Sequence, residues 1–181
     1  MNNTALERKD NTPRVYFADL ADYNSGILRG FWLDLPGLSK DEILERVDSF
    51  LKARGHEEWA IHDYENLPRI GEWEPIENLV AITEAIEEMG FDVVNGYLSC
   101  FDSPDDYSEL LEKIQERYAG TYTSLIDYAY QYIDDTGLLA DVPETITNYF
   151  DYESFARDME LGGDIYVHEA SYNEKIIFHS Y

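Results

Sequence analysis

The sequence predicts an α+β fold that reads as three successive units. These are a ββαβ unit, a helical unit and a mixed α/β unit that ends in a hairpin. Three observations lead there. Aromatic-rich, strand-like runs open and close the chain, while the middle follows helical spacing. Apolar residues make up 44% and aromatics 14% of the 181 residues, enough to build a core and too many for a disordered chain. The charge is also unevenly spread. Residues 70–156 hold twenty acids against two bases, residues 1–69 hold thirteen against nine, and residues 157–181 hold five against two. The expected divisions are a flexible tail at 1–13, the ββαβ domain at 14–70, the acidic helical domain at 71–117 and an α+β domain at 118–181.

Residues 14–20 (RVYFADL) and 27–35 (ILRGFWLDL) read as strands, and Asp22-Tyr23-Asn24-Ser25-Gly26 between them has turn chemistry. Ser39 opens a helix, with Glu42 three residues on completing a capping box. Ile43, Val47, Phe50 and Leu51 give it an apolar stripe and Gly55 closes it. Residues 58–64 (EWAIHDY) read as a third strand. Pro75 suits the first turn of a second helix, which Gly90 ends. Residues 91–101 read as a short helix, with a strand as the alternative, and Pro104 is expected to start a helix reaching about Tyr118. Helices are expected at 124–135, 143–150 and 152–161, followed by a Gly162-Gly163 break. Residues 164–170 and 175–180 then pair across Ser171-Tyr172-Asn173.

The net charge is -25, from 38 acids and 13 bases. Self-repulsion of that size opposes compaction, so the excess calls for a function. Nucleic acid and anionic membrane are disfavoured as direct partners because like charges repel, and a basic partner is favoured. Cys100 is the sole cysteine, which excludes an intrachain disulfide and fits a reducing cytoplasm. No apolar run is long enough to span a membrane, and residues 1–13 are polar, without a signal-peptide core.

The acids form lines. In the helix expected after Pro104, Tyr107, Leu110, Leu111, Ile114 and Tyr118 share one face. Asp105, Glu109, Glu112 and Glu116 share another, within about 60° of arc at roughly 100° per residue. In the helix after Pro75, Glu77, Glu84 and Glu88 align, Glu87 flanks them, and Ile76, Leu79, Val80 and Ile86 take the buried side. A solvated helix face is the ordinary meaning of such charge, but a solvated face mixes signs, and these helices carry almost no lysine. Duplex DNA carries one charge per about 1.7 Å of axis, so -25 matches roughly 40 Å of duplex.

Catalytic readings find little support. A carboxylate pair for hydrolysis is uninformative among 38 acids, since some pair always sits at a suitable distance. His56, His62, His168 and His179 make no metal-binding spacing, although the last two could face each other in the terminal hairpin. GxSxG, P-loop and GxGxxG motifs are absent. A calcium loop at 102–113 fails because Pro104, Tyr107 and Lys113 occupy its third, sixth and twelfth positions. Tyr122, Tyr128, Tyr130, Tyr132, Tyr149 and Tyr152 read as core or interface residues.

Residues 138–161, LLADVPETITNYFDYESFARDMEL, resemble the antirestriction motif of the ArdA family. Residues 15–35 (VYFADLADYNSGILRGFWLDL) and 118–132 (YAGTYTSLIDYAYQY) resemble that family's opening hairpin and third-domain entry. The resemblance covers about residues 14–181. It implies an elongated, non-enzymatic DNA mimic of three domains without a cofactor. It also implies dimerisation through the third domain, carriage by conjugative plasmids and transposons, and occupation of the DNA-binding groove on the specificity and methyltransferase subunits of type I restriction-modification enzymes. The expected phosphate-like set is Glu72, Glu74, Glu77, Glu84, Glu87, Glu88, Asp92, Asp105, Asp106, Glu109, Glu112, Glu116, Asp127, Asp134 and Asp135. The expected core or dimer surface of the motif is Leu138, Leu139, Val142, Pro143, Ile146, Tyr149, Phe150 and Phe155. The rival readings are an acidic adaptor for another basic DNA-binding protein and a carboxylate-pair hydrolase.

Overall fold

The computed structural model describes residues 11–104 and 106–181. It is a mixed α+β protein with eight α-helices and two antiparallel three-stranded sheets among those residues. The chain forms two compact units, Met1–Asn95 with Pro104–Leu111, and Gly96–Ser103 with Glu112–Tyr181.

The first unit is built on β1 (Arg14–Asp19), β2 (Gly30–Asp34) and β3 (Trp59–Glu65), in the order β2-β1-β3. Val15 and Phe17 on the central strand alternate with half-buried Arg14 and Tyr16, and from Phe17 to Asp19 the strand is buried on both faces. The predicted ββαβ order is present. The strands of the opening hairpin are shorter than expected, however, because α1 (Leu20–Asn24) replaces a simple turn. Asp19 causes this: its carboxylate accepts from the N–H groups of Ala21 and Asp22 and so nucleates a helical turn. α2 (Lys40–Lys52) begins at the predicted capping box of Ser39 and Glu42 and buries Ile43, Val47 and Leu51. α3 (Ile76–Met89) begins after Pro75, ends at Gly90 with φ +85°, and packs on α2. It buries Ile76, Leu79, Ile82, Ala85 and Ile86. α4 (Phe91–Cys100) is helical, as the preferred reading had it.

The helix expected from Pro104 starts later. A single 3-10 turn (Tyr107–Glu109) leads into α5 (Leu110–Arg117). Asp106 caps that turn by accepting from the Ser108 N–H, which moves the start signal past the proline. β4 (Tyr118–Tyr122), which the helical reading of its neighbourhood overlooked, pairs with β6.

In the second unit the sheet order is β4-β6-β5, with β5 (Ile165–Ser171) and β6 (Glu174–His179) forming the predicted terminal hairpin. Its register sets His168 opposite Ile176 and His179 opposite Ile165, so the two histidines are not cross-strand partners. α6 (Leu125–Thr136) is capped by Ser124 and closed by Gly137 in the left-handed region. α7 (Glu144–Thr147) is a single turn, shorter than the helix expected at 143–150. α8 (Tyr152–Gly162) begins afresh where Asp151 accepts from the Ser154 N–H, and packs on α6. Tyr128, Met159, Ile165 and Ile177 form the core, with Phe155, Leu125 and Val167 packed at its edge. The Tyr128 hydroxyl is buried without a hydrogen-bond partner among the described residues, and burial lifts its pKa well above the ordinary tyrosine value.

One buried charge gives a pH prediction. Asp19 is fully buried, and His56 Nδ1 lies 2.7 Å from its free oxygen. Burial pushes the Asp19 carboxyl up, but the hydrogen bonds from His56 and the Asp22 N–H, with lesser help from Ala21, outweigh it and hold the group below its ordinary 3.8. A depressed carboxyl stabilises the fold fully above its ordinary value and loses that contribution as pH falls through the lower folded value. Asp19→Asn should therefore cost about 1–3 kcal/mol at pH 7. The difference in Tm between parent and variant should shrink below about pH 4. A gap that stays constant down to pH 2 contradicts the assignment.

Candidate functional site

Of the fifteen acids expected to form the charged surface, Asp105 lies outside the described residues. Among the other fourteen, thirteen are exposed and Glu74 is half-buried. The structure sorts them by what already occupies their oxygens.

Four of them serve the local fold. Glu74 accepts from the Gly71 N–H at 3.2 Å and the Asn78 amide at 2.8 Å. Glu77 pairs with Lys40 at 3.3 Å; its own backbone N–H and then Lys40 hold its carboxyl below the usual range. Asp106 caps the 3-10 turn. Asp127 completes the cap of α6, where the hydroxyls of Thr123 and then Ser124 lower its pKa. Helix-end chemistry explains these groups without a partner molecule.

Eight others have no such employment. Glu84, Glu87, Glu88, Asp92, Glu112, Glu116, Asp134 and Asp135 make no ion pair or side-chain hydrogen bond among the described residues. Glu72 is close to this class, with His62 Nε2 3.9 Å away. Glu84 and Glu88 stand one turn apart on α3 with Glu87 beside them, and Glu112 and Glu116 stand one turn apart on α5. Each such like-charge pair costs a helix roughly 0.2–0.5 kcal/mol. α3 tolerates this because burying a Leu or Ile side chain contributes roughly 1.5–3 kcal/mol, and Leu79 and Ile82 are both fully buried. The four-acid line expected on one long helix is shorter in fact: only Glu112 and Glu116 lie in α5, Glu109 ends the 3-10 turn, and helix begins at Leu110.

The eight motif residues sit around α7 and the start of α8, and none is fully buried. Leu138, Pro143, Ile146 and Tyr149 are exposed, Tyr149 at 88%. Leu139, Val142, Phe150 and Phe155 are half-buried, and Phe155 rests on the core. Leu139 also lines an open recess of about 670 Å³ with Tyr130, Ile133 and Tyr152. Tyr130 and Tyr152 stack there with centroids 4.0 Å apart.

Sequence spacing did not reveal one constellation. Asp19, Asp22 and His56 bring their ligand-type atoms within 4.8 Å of one another. These atoms are already engaged: Asp19 caps α1 and meets His56, and Asp22 accepts from Arg29 at 2.9 Å. The cluster ties strand, helix and loop together. His56 lies 37 residues from Asp19, so only the β-sheet topology brings them together.

No curated protein matches the chain in sequence. The family model of the ArdA antirestriction proteins matches residues 15–174, nearly the whole chain. With unemployed carboxylates along its helices, the chain belongs to the ArdA antirestriction family, non-enzymatic DNA mimics that inhibit type I restriction-modification enzymes.

Proposed function

We propose that the exposed acids of this chain stand in for DNA phosphates, and that it occupies the DNA-binding groove on the specificity and methyltransferase subunits of its target. Glu84, Glu87, Glu88, Asp92, Glu112, Glu116, Asp134 and Asp135 carry the mimicry, with Glu72 and Glu109 beside them. Asp105 completes the set from outside the described residues. Glu74, Glu77, Asp106 and Asp127 add field while holding local structure. The observation that carries this reading is that Glu84, Glu87, Glu88, Asp92, Glu112, Glu116, Asp134 and Asp135 are exposed and make no ion pair among the described residues. An enzyme that binds DNA offers the lysines and arginines these groups lack.

We further propose that the chain acts in the cytoplasm as a homodimer of elongated, three-domain protomers, joined through the exposed apolar residues around α7. No helix among the described residues is long and apolar enough to cross a membrane. Two chains of -25 repel, so the contact must be apolar and set apart from the densest acids. Leu138, Ile146 and Tyr149 supply an exposed apolar surface, on a segment separate in sequence from the acids of α3 and α5.

The test is DNA cleavage by a type I enzyme with and without stoichiometric protein. Cleavage should stop near one dimer per DNA-binding site and return when excess target DNA is added. Cleavage that continues at tenfold molar excess rules the reading out.

A further inference from the structure

Trp73 stands apart from the rest of the acidic surface. Its side chain is 63% exposed, on the loop between β3 and α3. That loop is held at several points. Ile61 N–H donates to the Glu72 carbonyl at 3.0 Å and Glu74 N–H to the Gly71 carbonyl at 3.3 Å. The Glu74 carboxylate closes the turn from the other side by accepting from Gly71 and Asn78. The indole therefore stands out from a fixed backbone and loses little freedom on being bound. Trp59 and Leu20 share an open recess of about 380 Å³ with it, and Glu57 and Glu58 line the same recess. Glu72 precedes it, and all three of these glutamates are exposed. A flat bicyclic ring flanked by carboxylates has the chemistry of a nucleobase flanked by phosphates.

We propose that Trp73 is the apolar anchor of the complex. It enters a flat slot in the cationic DNA-binding surface of the target, one shaped to take a nucleobase turned out of the duplex stack. The inference rests on the DNA-mimic reading and deepens it. The acids provide attraction that salt screens, whereas the indole provides contact that salt does not screen. Buried Trp side chains are also among the commonest centres of binding energy at protein interfaces. The partner surface needs both features, since Glu57 and Glu58, which line the recess beside the indole, disfavour an acidic or purely apolar one.

The experiment is calorimetric titration of the full-length protein into an intact type I methyltransferase complex at 50 and 300 mM salt. The comparison set is the parent, Trp73→Ala, Trp73→Phe and the double variant Glu57→Gln/Glu58→Gln. Trp73→Ala should weaken binding at least tenfold at both salt concentrations, leaving the salt slope as in the parent. Trp73→Phe should keep most of the affinity, and the double variant should flatten the slope. The parent should show a blue shift of tryptophan emission on binding that Trp73→Phe lacks. Melting temperatures equal to that of the parent confirm that the exposed position leaves folding intact, and the Phe variant answers the question if Ala does not fold. A parent that binds while Trp73→Ala binds equally well overturns this inference and leaves the mimicry standing. A parent that does not bind overturns both.

Discussion

Neutralising Glu84, Glu87 and Glu88 together, as Glu→Gln, should weaken target binding on the order of tenfold or more, because exposed ion pairs are individually weak and act as a set. The three carboxylates share the C-terminal half of α3, and none has a partner among the described residues. Glu87→Gln alone should change affinity less than twofold, since Glu84 and Glu88 keep the local field. Stability should move the other way. The helix dipole disfavours acids in the last turn, and the Glu84–Glu88 pair repels, so the triple variant should melt at or above the temperature of the parent. Graded loss with unimpaired folding is the pattern of mimicry. A catalytic pair would instead show one substitution abolishing activity. A triple variant that inhibits as well as the parent removes α3 from the binding surface.

The second large effect concerns association. Leu138→Glu combined with Ile146→Glu should convert a dimer into folded monomers, with self-association weakened at least hundredfold, because an unpaired carboxylate buried in a contact costs several kcal/mol. Both positions are more than half exposed, at 53% and 60%, so the monomer fold has little stake in them. Leu139 is a poorer choice, since it is half-buried and lines the recess beside the Tyr130–Tyr152 stack. Sedimentation equilibrium at micromolar concentration decides the matter. A monomeric parent, or a variant that remains dimeric, removes this patch from the interface.

Much of the fold was legible where a local signal has a single structural meaning. Ser39 and Glu42 gave α2 its start, Pro75 and Gly90 bracketed α3, and Gly162-Gly163 separated α8 from the terminal hairpin. Strands with flanking turn residues were found at β3, β5 and β6. The errors arose where a short polar side chain redirected the backbone. Asp19 built α1 inside the opening connection, and Asp106 delayed α5 past Pro104. β4 was missed because YAGTY owes its extended form to β6, more than fifty residues away. Long-range pairing of that kind leaves little mark on the local sequence.

The site was legible in composition more than in position. Clustering of acids without lysines singled out particular helices, and the acids named in α3, α4, α5 and α6 are exposed. Spacing could not separate carboxylates that cap and staple from those left over. Glu74 and Asp127 look like Glu84 and Asp134 in sequence, but hydrogen bonds to Gly71, Asn78, Thr123 and Ser124 occupy the first pair. Nor did any pattern single out Trp73, whose exposure follows from how Glu74 folds the loop around it.

The central claim is that carboxylate charge drives binding in place of phosphate charge. Its most direct test is the dissociation constant for an intact type I enzyme, measured by calorimetry without competing DNA from 50 to 500 mM salt. Screening within about 8 Å at physiological ionic strength should make affinity fall steadily as salt rises. The account predicts a straight, descending plot of log affinity against log salt, made shallower by Glu84→Gln/Glu87→Gln/Glu88→Gln. An affinity that holds constant across that range would contradict it.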